Sequence, residues 1–198
     1  MSYRTLSIAI LVSAVLFTAC ASTTIQSIHH APDFRSAGIR HVLVIGVFKN
    51  QTLRKIFEEE FVRQWSWRGV HAVSSLEVLP SATTLDKAGI APIAKAGGFD
   101  TVLVTRLLEK KTITPGEPAV PTIEPPSQND TVWEVLLAPP VSTNPFDLAT
   151  VETNLYDVAS EKRVWSAWSE TEEMGKISKL IPPFVKLILK RLYETPQG

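Results

Sequence analysis

His41-Val42-Leu43-Val44-Ile45-Gly46-Val47-Phe48 is the stretch whose reading settles the fold. After His41 it holds no polar side chain and is rich in β-branched residues, so it cannot alternate between a wet and a dry face. Such a run marks a central strand buried on both sides, as in sheets whose strands run parallel. Asn50 or Thr52 can cap the helix that follows. On that helix Leu53, Ile56, Phe57, Phe61 and Trp65 recur at i+3 and i+4 and form one apolar stripe. Arg54–Glu58, Lys55–Glu59 and Glu59–Arg63 are opposite charges four apart, expected on the exposed side. Gly69 is placed to end the helix, and Val70 to Val73 reads as a second, short strand. The order predicts a βαβ unit.

Further along, Ala91 to Ala96 reads as a short helix with Pro92 in its first turn and Gly97-Gly98 as its stop. Phe99 to Leu107 is the third strand. The composition then changes: eight of the fourteen prolines fall between Pro115 and Pro145, too dense for regular structure. Residues 109–147 therefore read as a long excursion, interrupted by a short strand at Thr131 to Leu137. Leu148–Asp157 and Arg163–Thr171 alternate at period 2 around Ala159-Ser160-Glu161-Lys162 and predict a hairpin. After Gly175 an apolar helix begins at Ile177 and Leu180, broken or restarted at Pro182-Pro183. Phe184, Val185, Ile188, Leu189 and Leu192 form its stripe. The expectation is an α/β fold with a single mixed sheet: β-α-β-α-β, a proline-rich excursion, a β-hairpin and a C-terminal α-helix. Right-handed crossovers place the parallel strands first and the antiparallel hairpin after them. Residues 41–198 make one such domain, with three helices expected to cover one face of the sheet.

The amino terminus has different physics. Arg4 and the α-amine precede Leu6–Phe17, an uncharged apolar run of 12 residues. That is too short to cross a hydrocarbon core, which needs roughly 20, and fits the apolar region of a secretory signal. Leu16-Phe17-Thr18-Ala19-Cys20 follows and resembles the lipobox of bacterial lipoprotein precursors, with Phe17 where leucine is commonest. The resemblance implies cleavage after residue 19 and lipidation of Cys20. Cys20 is the only cysteine in the chain, so it has no disulfide partner within it. Two or more acyl chains anchor a protein stably, and the pathway resembled attaches three. Ala21 after the cysteine implies sorting to the outer membrane, facing the periplasm. Residues 20–40 lack a sustained period and contain Pro32 and Gly38, and read as a flexible tether spanning roughly 25 Å.

The order of elements is similar to the small α/β domain shared by the curli-secretion lipoproteins, the penicillin-binding-protein activator lipoproteins and the amino-terminal domain of the Tol-Pal β-propeller protein. The resemblance covers residues 41–193. It is carried by Val42–Phe48 with Asn50, by the helix bearing Arg54, Phe57, Glu58 and Phe61, by Gly98–Val104, and by Leu155–Val158 with Val164-Trp165-Ser166. It implies a non-enzymatic domain that recruits or regulates another envelope protein, and no partner-contacting residue carries over.

The chain has 20 basic and 20 acidic residues, so no global field attracts nucleic acid. There is no phosphate-binding loop, dinucleotide fingerprint or nucleophile elbow, and no cofactor is expected. His29, His30, His41 and His71 lack zinc-type spacing. His29-His30 reads as a solvated pair in the tether, and His41 and His71 as edge-of-sheet residues that begin two strands. Glu58-Glu59-Glu60 diverge by about 100° per step and cannot share a site, so they read as a solvated face. No catalytic or metal-binding set is expected.

The tryptophans carry more information. Trp65 continues the core stripe, and Trp67 points about 200° away, toward a rim or the excursion. Trp165 and Trp168, three apart on a strand, fall on opposite sheet faces. With one face covered by helices, one of the pair needs shielding by the excursion or a partner. The surface expected to bind is therefore the one around Trp133, Trp165, Trp168 and Trp67, since tryptophan is enriched at binding hot spots. The functional expectation is a lipid-anchored, non-catalytic binding or assembly module with an envelope-protein partner. The alternatives are an auxiliary lipoprotein of lipid or solute transport, marked by an apolar pocket open to solvent, and a hydrolase with a dispersed site around Asp100.

Overall fold

The computed structural model describes residues 23–79, 87–111, 148–172 and 177–195. The signal, Cys20, Trp133 and the Thr131–Leu137 strand lie outside them. The strands are β1 (Thr23–His30), β2 (His41–Val47), β3 (His71–Ser74), β4 (Thr101–Lys111), β5 (Leu148–Asp157) and β6 (Arg163–Glu172). The helices are α1 (Gln51–Ser66), α2 (Ser75–Val78), α3 (Lys87–Ala96) and α4 (Ile177–Glu194). The six strands form one mixed sheet in the order β1-β6-β5-β4-β2-β3. β2 pairs parallel with β3 and β4, whereas β4, β5, β6 and β1 are successively antiparallel. The α/β class, the βαβ unit and the hairpin are as the sequence predicts.

β2 is central because Val42, Leu43, Val44 and Ile45 leave no face that tolerates water, and all four are fully buried. Val42 and Val44 face α1 and α4, together with Leu103, Leu155, Trp165 and Ala167. Leu43 and Ile45 face the other way and join Val102, Val104, Tyr156 and the α3 residues Ile90 and Ala94. Helices therefore lie on both faces of the parallel half. This corrects the expectation that they cover one face only, because a strand apolar on both sides needs cover on both.

The largest correction is at residues 23–40. Thr23–His30 is not a tether but the edge strand β1, paired with β6 from Thr23↔Thr171 to His30↔Trp165. Its alternation is hidden by a bulge between Ile25 and Ser27, which opposes two residues of β1 to one of β6. The bulge brings Ile25 and Ile28, three apart, onto the same apolar cluster. Beyond the strand a short 3-10 turn (Ser36–Gly38) lies between Phe34 and Ile39, and both of these are buried in that cluster.

Three smaller differences concern element bounds. Residues 109–111, assigned to the excursion, extend β4 through the pairs Glu109↔Thr150, Lys110↔Ala149 and Lys111↔Leu148. Pro92 lies inside α3 rather than in its first turn. Pro182 and Pro183 do not break α4. The carbonyls they leave without a helical partner are those of Ser178 and Lys179, which are exposed to water. α1 is capped by Asn50, whose Oδ1 accepts from the Leu53 N–H at 3.0 Å. It ends at Gly69, whose φ of +72° completes the paired 3.0 and 3.2 Å bonds of a Schellman ending.

Candidate functional site

Of the expected surface, Trp67, Trp165 and Trp168 do not come together, and Trp133 lies outside the described residues. Trp165 is fully buried under α4, and its Nε1 donates to Thr195 Oγ1 at 2.9 Å. Trp168 lies on the opposite face of β6, as the spacing requires, and is also buried. Trp67 stands apart at the C-terminal end of α1. It is 71% exposed and the only exposed large hydrophobic side chain among the described residues. The Arg63 guanidinium lies 5.3 Å from its ring centroid, a cation–π contact.

The charges of α1 also need correcting. Lys55–Glu59 is exposed, as expected, but Arg54 and Glu58 are buried beneath the helix, and Glu60 is buried as well. Glu58 Oε1 accepts from Arg54 Nε (2.8 Å), the Gly46 N–H (2.8 Å) and Ser75 Oγ (2.7 Å), and its Oε2 accepts from Ser74 Oγ (2.6 Å). Arg54 Nη2 donates to Ser75 Oγ at 2.7 Å. The carboxylate thus ties α1 to β2, β3 and the start of α2. A Cβ at Gly46 would meet the Phe48 ring at 3.0 Å. Arg63 pairs with Glu60 instead of Glu59, and Gln64 Nε2 joins Glu60 Oε1 (2.6 Å) to the Pro182 carbonyl (3.0 Å). Every donor of the Glu58 network belongs to the scaffold, so it locks the fold and offers no free group for chemistry.

A second polar layer lies on the face of β4–β5–β6 away from α1 and α4. Along that face the apolar pair Val102–Tyr156 gives way to Val104–Asn154 and then Arg106–Glu152. Arg106 Nε donates to Glu152 Oε2 at 2.5 Å. Glu152 and Asn154 are 0% exposed. Glu152 Oε1, both amide atoms of Asn154 and Trp168 Nε1 have no hydrogen-bond partner among the described residues. The sequence signal for this layer is the polar member of each alternation at 150, 152 and 154, which periodicity assigns to the outward face.

His41 and His71 meet across the parallel β2–β3 pair, with ring centroids 4.5 Å apart, and His41 also stacks on Phe99 at 4.2 Å. Asp100 Oδ2 accepts the backbone N–H groups of Arg40 and His41, both at 2.8 Å. These contacts close the sheet end, and no group of three metal-ligating side chains exists among the described residues. His29 and His30 belong to β1 rather than to a tether.

At the other sheet end an open apolar groove lies between α1, α4 and the strands. Phe48, Leu53, Phe57, Leu107, Val151 and Phe184 form its walls, and Thr171 is the one polar residue lining it. Counted out into open solvent, the space between its walls is about 560 Å³. The groove opens at the carboxyl ends of β2 and β4, where the sheet turns from parallel to antiparallel, the usual ligand position in open α/β sheets. Sequence reasoning missed it because its walls come from five separate elements and each residue alone reads as core.

The chain matches no protein-family model and no curated relative. Among solved structures it is similar to the PelC dodecamer from Paraburkholderia phytofirmans, with TM-score 0.45 and 15% identity over 88% of this chain and 100% of that chain. A single-substitution variant of that dodecamer gives TM-score 0.46 and 14% identity over 87% and 98%. A PDZ domain protein from Parabacteroides distasonis gives TM-score 0.48 and 11% identity over 91% of this chain and 38% of that one. At these identities and superpositions nothing of those proteins' roles transfers to this chain. No helix among the described residues is long and apolar enough to cross a membrane.

Proposed function

We propose that the protein is a lipid-anchored, non-catalytic binding module of the bacterial envelope, held on the periplasmic side of the outer membrane by acyl chains on Cys20 and recruiting another envelope protein. The observation that supports this reading is Trp67. Trp67 presents a large, mostly apolar indole to solvent at 71% exposure, with the Arg63 guanidinium against its ring, and tryptophan and arginine are both enriched among interface hot spots. Trp67 lies about 20 Å along α1 from Leu53 at the groove, so a partner bound there leaves the groove end of the sheet free.

The test is crosslinking in intact envelopes of a bacterial host that processes lipoproteins, followed by recovery of the protein and mass spectrometry. Wild type is expected to bring down a discrete envelope protein, and Trp67→Ala to reduce its recovery at least tenfold with an unchanged thermal midpoint. Equal recovery with Trp67→Ala would remove the support for this surface. Membrane association that persists in Cys20→Ala would sink the anchoring reading.

The second reading, an auxiliary lipoprotein of lipid or solute transport, is favoured by the open apolar groove. Recovery of phospholipid or a small ligand alone, with no protein partner, would put it first.

A further inference from the structure

We propose that the apolar groove between α1, α4 and the sheet is the seat of one acyl chain attached to the protein's own Cys20. The inference rests on the lipidation reading above and adds to it where the lipid goes.

Three observations carry it. First, β1 begins at Thr23, so only two residues separate Cys20 from the folded sheet. An extended chain over three residue steps reaches at most about 11 Å, which holds Cys20 close to wherever Thr23 sits. Second, Thr23 pairs with Thr171, their hydroxyls are 3.0 Å apart, and Thr171 lines the groove. The described chain therefore enters the fold at the groove, and Thr23–His30 is strand rather than a flexible arm that would let the lipid wander. Third, the walls match the chemistry of an acyl chain and little else. Apart from the Thr171 hydroxyl, already bonded to Thr23, nothing in the lining asks a ligand for a polar group. The walls contributed by Leu53, Leu107 and Leu180 are only partly buried, so the groove is open to an incoming chain.

Seating one chain does not release the protein. The lipoprotein pathway attaches three, and two chains left in the bilayer still anchor stably. The geometry then fixes posture: the groove end of the sheet lies against the membrane, and Trp67, at the far end of α1, points away from it toward the periplasm.

The experiment places p-benzoylphenylalanine at Leu180 and, in a separate protein, at Leu53, both partly exposed positions that tolerate a larger ring. The full precursor is expressed in a lipoprotein-processing bacterium, envelopes are irradiated, and the digest is read by mass spectrometry. The expected product joins the peptide bearing the photolabel to the lipopeptide that begins at Cys20, and the same label at Trp67 gives none. Crosslinks to free phospholipid, to residues 112–147, to a second copy or to another protein would each overturn the inference, as would no crosslink at either position. The mass of the amino-terminal peptide in the same digest separates the two readings. Unmodified Cys20 sinks the anchoring itself, whereas lipidated Cys20 that never crosslinks to the groove sinks the seating alone.

Discussion

β2 and β6 are both interior strands and both bury their central residues on each side, but with opposite compositions. Val42 to Ile45 is wholly apolar, whereas Trp165-Ser166-Ala167-Trp168-Ser169 is polar at two of its five positions. β2 lies in the parallel half, with α1 and α4 on one face and α3 on the other. β6 lies in the antiparallel half, where one face joins the α1–α4 core and the other continues the Arg106–Glu152–Asn154 layer. One half is held by apolar contact on two sides, and the other combines apolar contact with a polar face removed from water. The lesson is that burial and apolarity are separate properties, and that periodicity reports the second.

The largest effect that can break this comparison lies in the parallel half, where a charge sits inside an apolar sandwich. Glu58→Ala leaves Arg54 buried without its carboxylate, and denaturant unfolding should show a loss of about 3–5 kcal/mol. A loss below about 1 kcal/mol would mean that Arg54 reaches water in the folded protein.

Next in size is a swap across one register pair, Val104↔Asn154, which stand side by side on one face. Val104→Asn puts an unpartnered amide into the α3 core and should cost about 3 kcal/mol, from lost apolar burial and unmet hydrogen bonds. Asn154→Val removes an amide that has no partner among the described residues, and should change stability by no more than about 1 kcal/mol in either direction. If the two substitutions cost the same, the polar layer is as tightly specified as the apolar one.

The smallest effect concerns α4, which joins the two halves. Burial pushes the Tyr193 phenol above its ordinary pKa of 10.0, with the Arg68 charge acting the other way. The folded state therefore favours the neutral phenol. That contribution is complete below pH 10.0 and is lost as the pH rises through the folded value. Unfolding measured above pH 10 should fall off more steeply in wild type than in Tyr193→Phe, and identical slopes would show that the phenol is not desolvated.

Much of this architecture was legible beforehand. The β2 run, the α1 stripe, the 148–171 hairpin and the α4 stripe were each readable because apolar period and turn chemistry agree locally. β1 was not, because a bulge at Gln26 spaces Ile25 and Ile28 by three and erases the period of two. The Arg54–Glu58 pair looks on paper like any surface i,i+4 pair. Which side of α1 it faces is decided by the Gly46 N–H and the hydroxyls of Ser74 and Ser75, contributed from elsewhere in the chain. The tryptophans of β6 show a similar limit: spacing places Trp165 and Trp168 on opposite faces but does not say that α4 closes over the first.

The sequence by itself determined the α/β class, the central strand, the hairpin and the lipobox-like run ending at Cys20 on which the proposed anchoring rests, since each depends on residues adjacent in the chain. Only the tertiary structure decided that β1 belongs to the sheet, that Glu58 is buried, and that Trp67 is the tryptophan left to solvent among the described residues. It alone assembled a groove from five elements beside Thr23. Those properties depend on which distant side chains meet, and local periodicity carries no record of that.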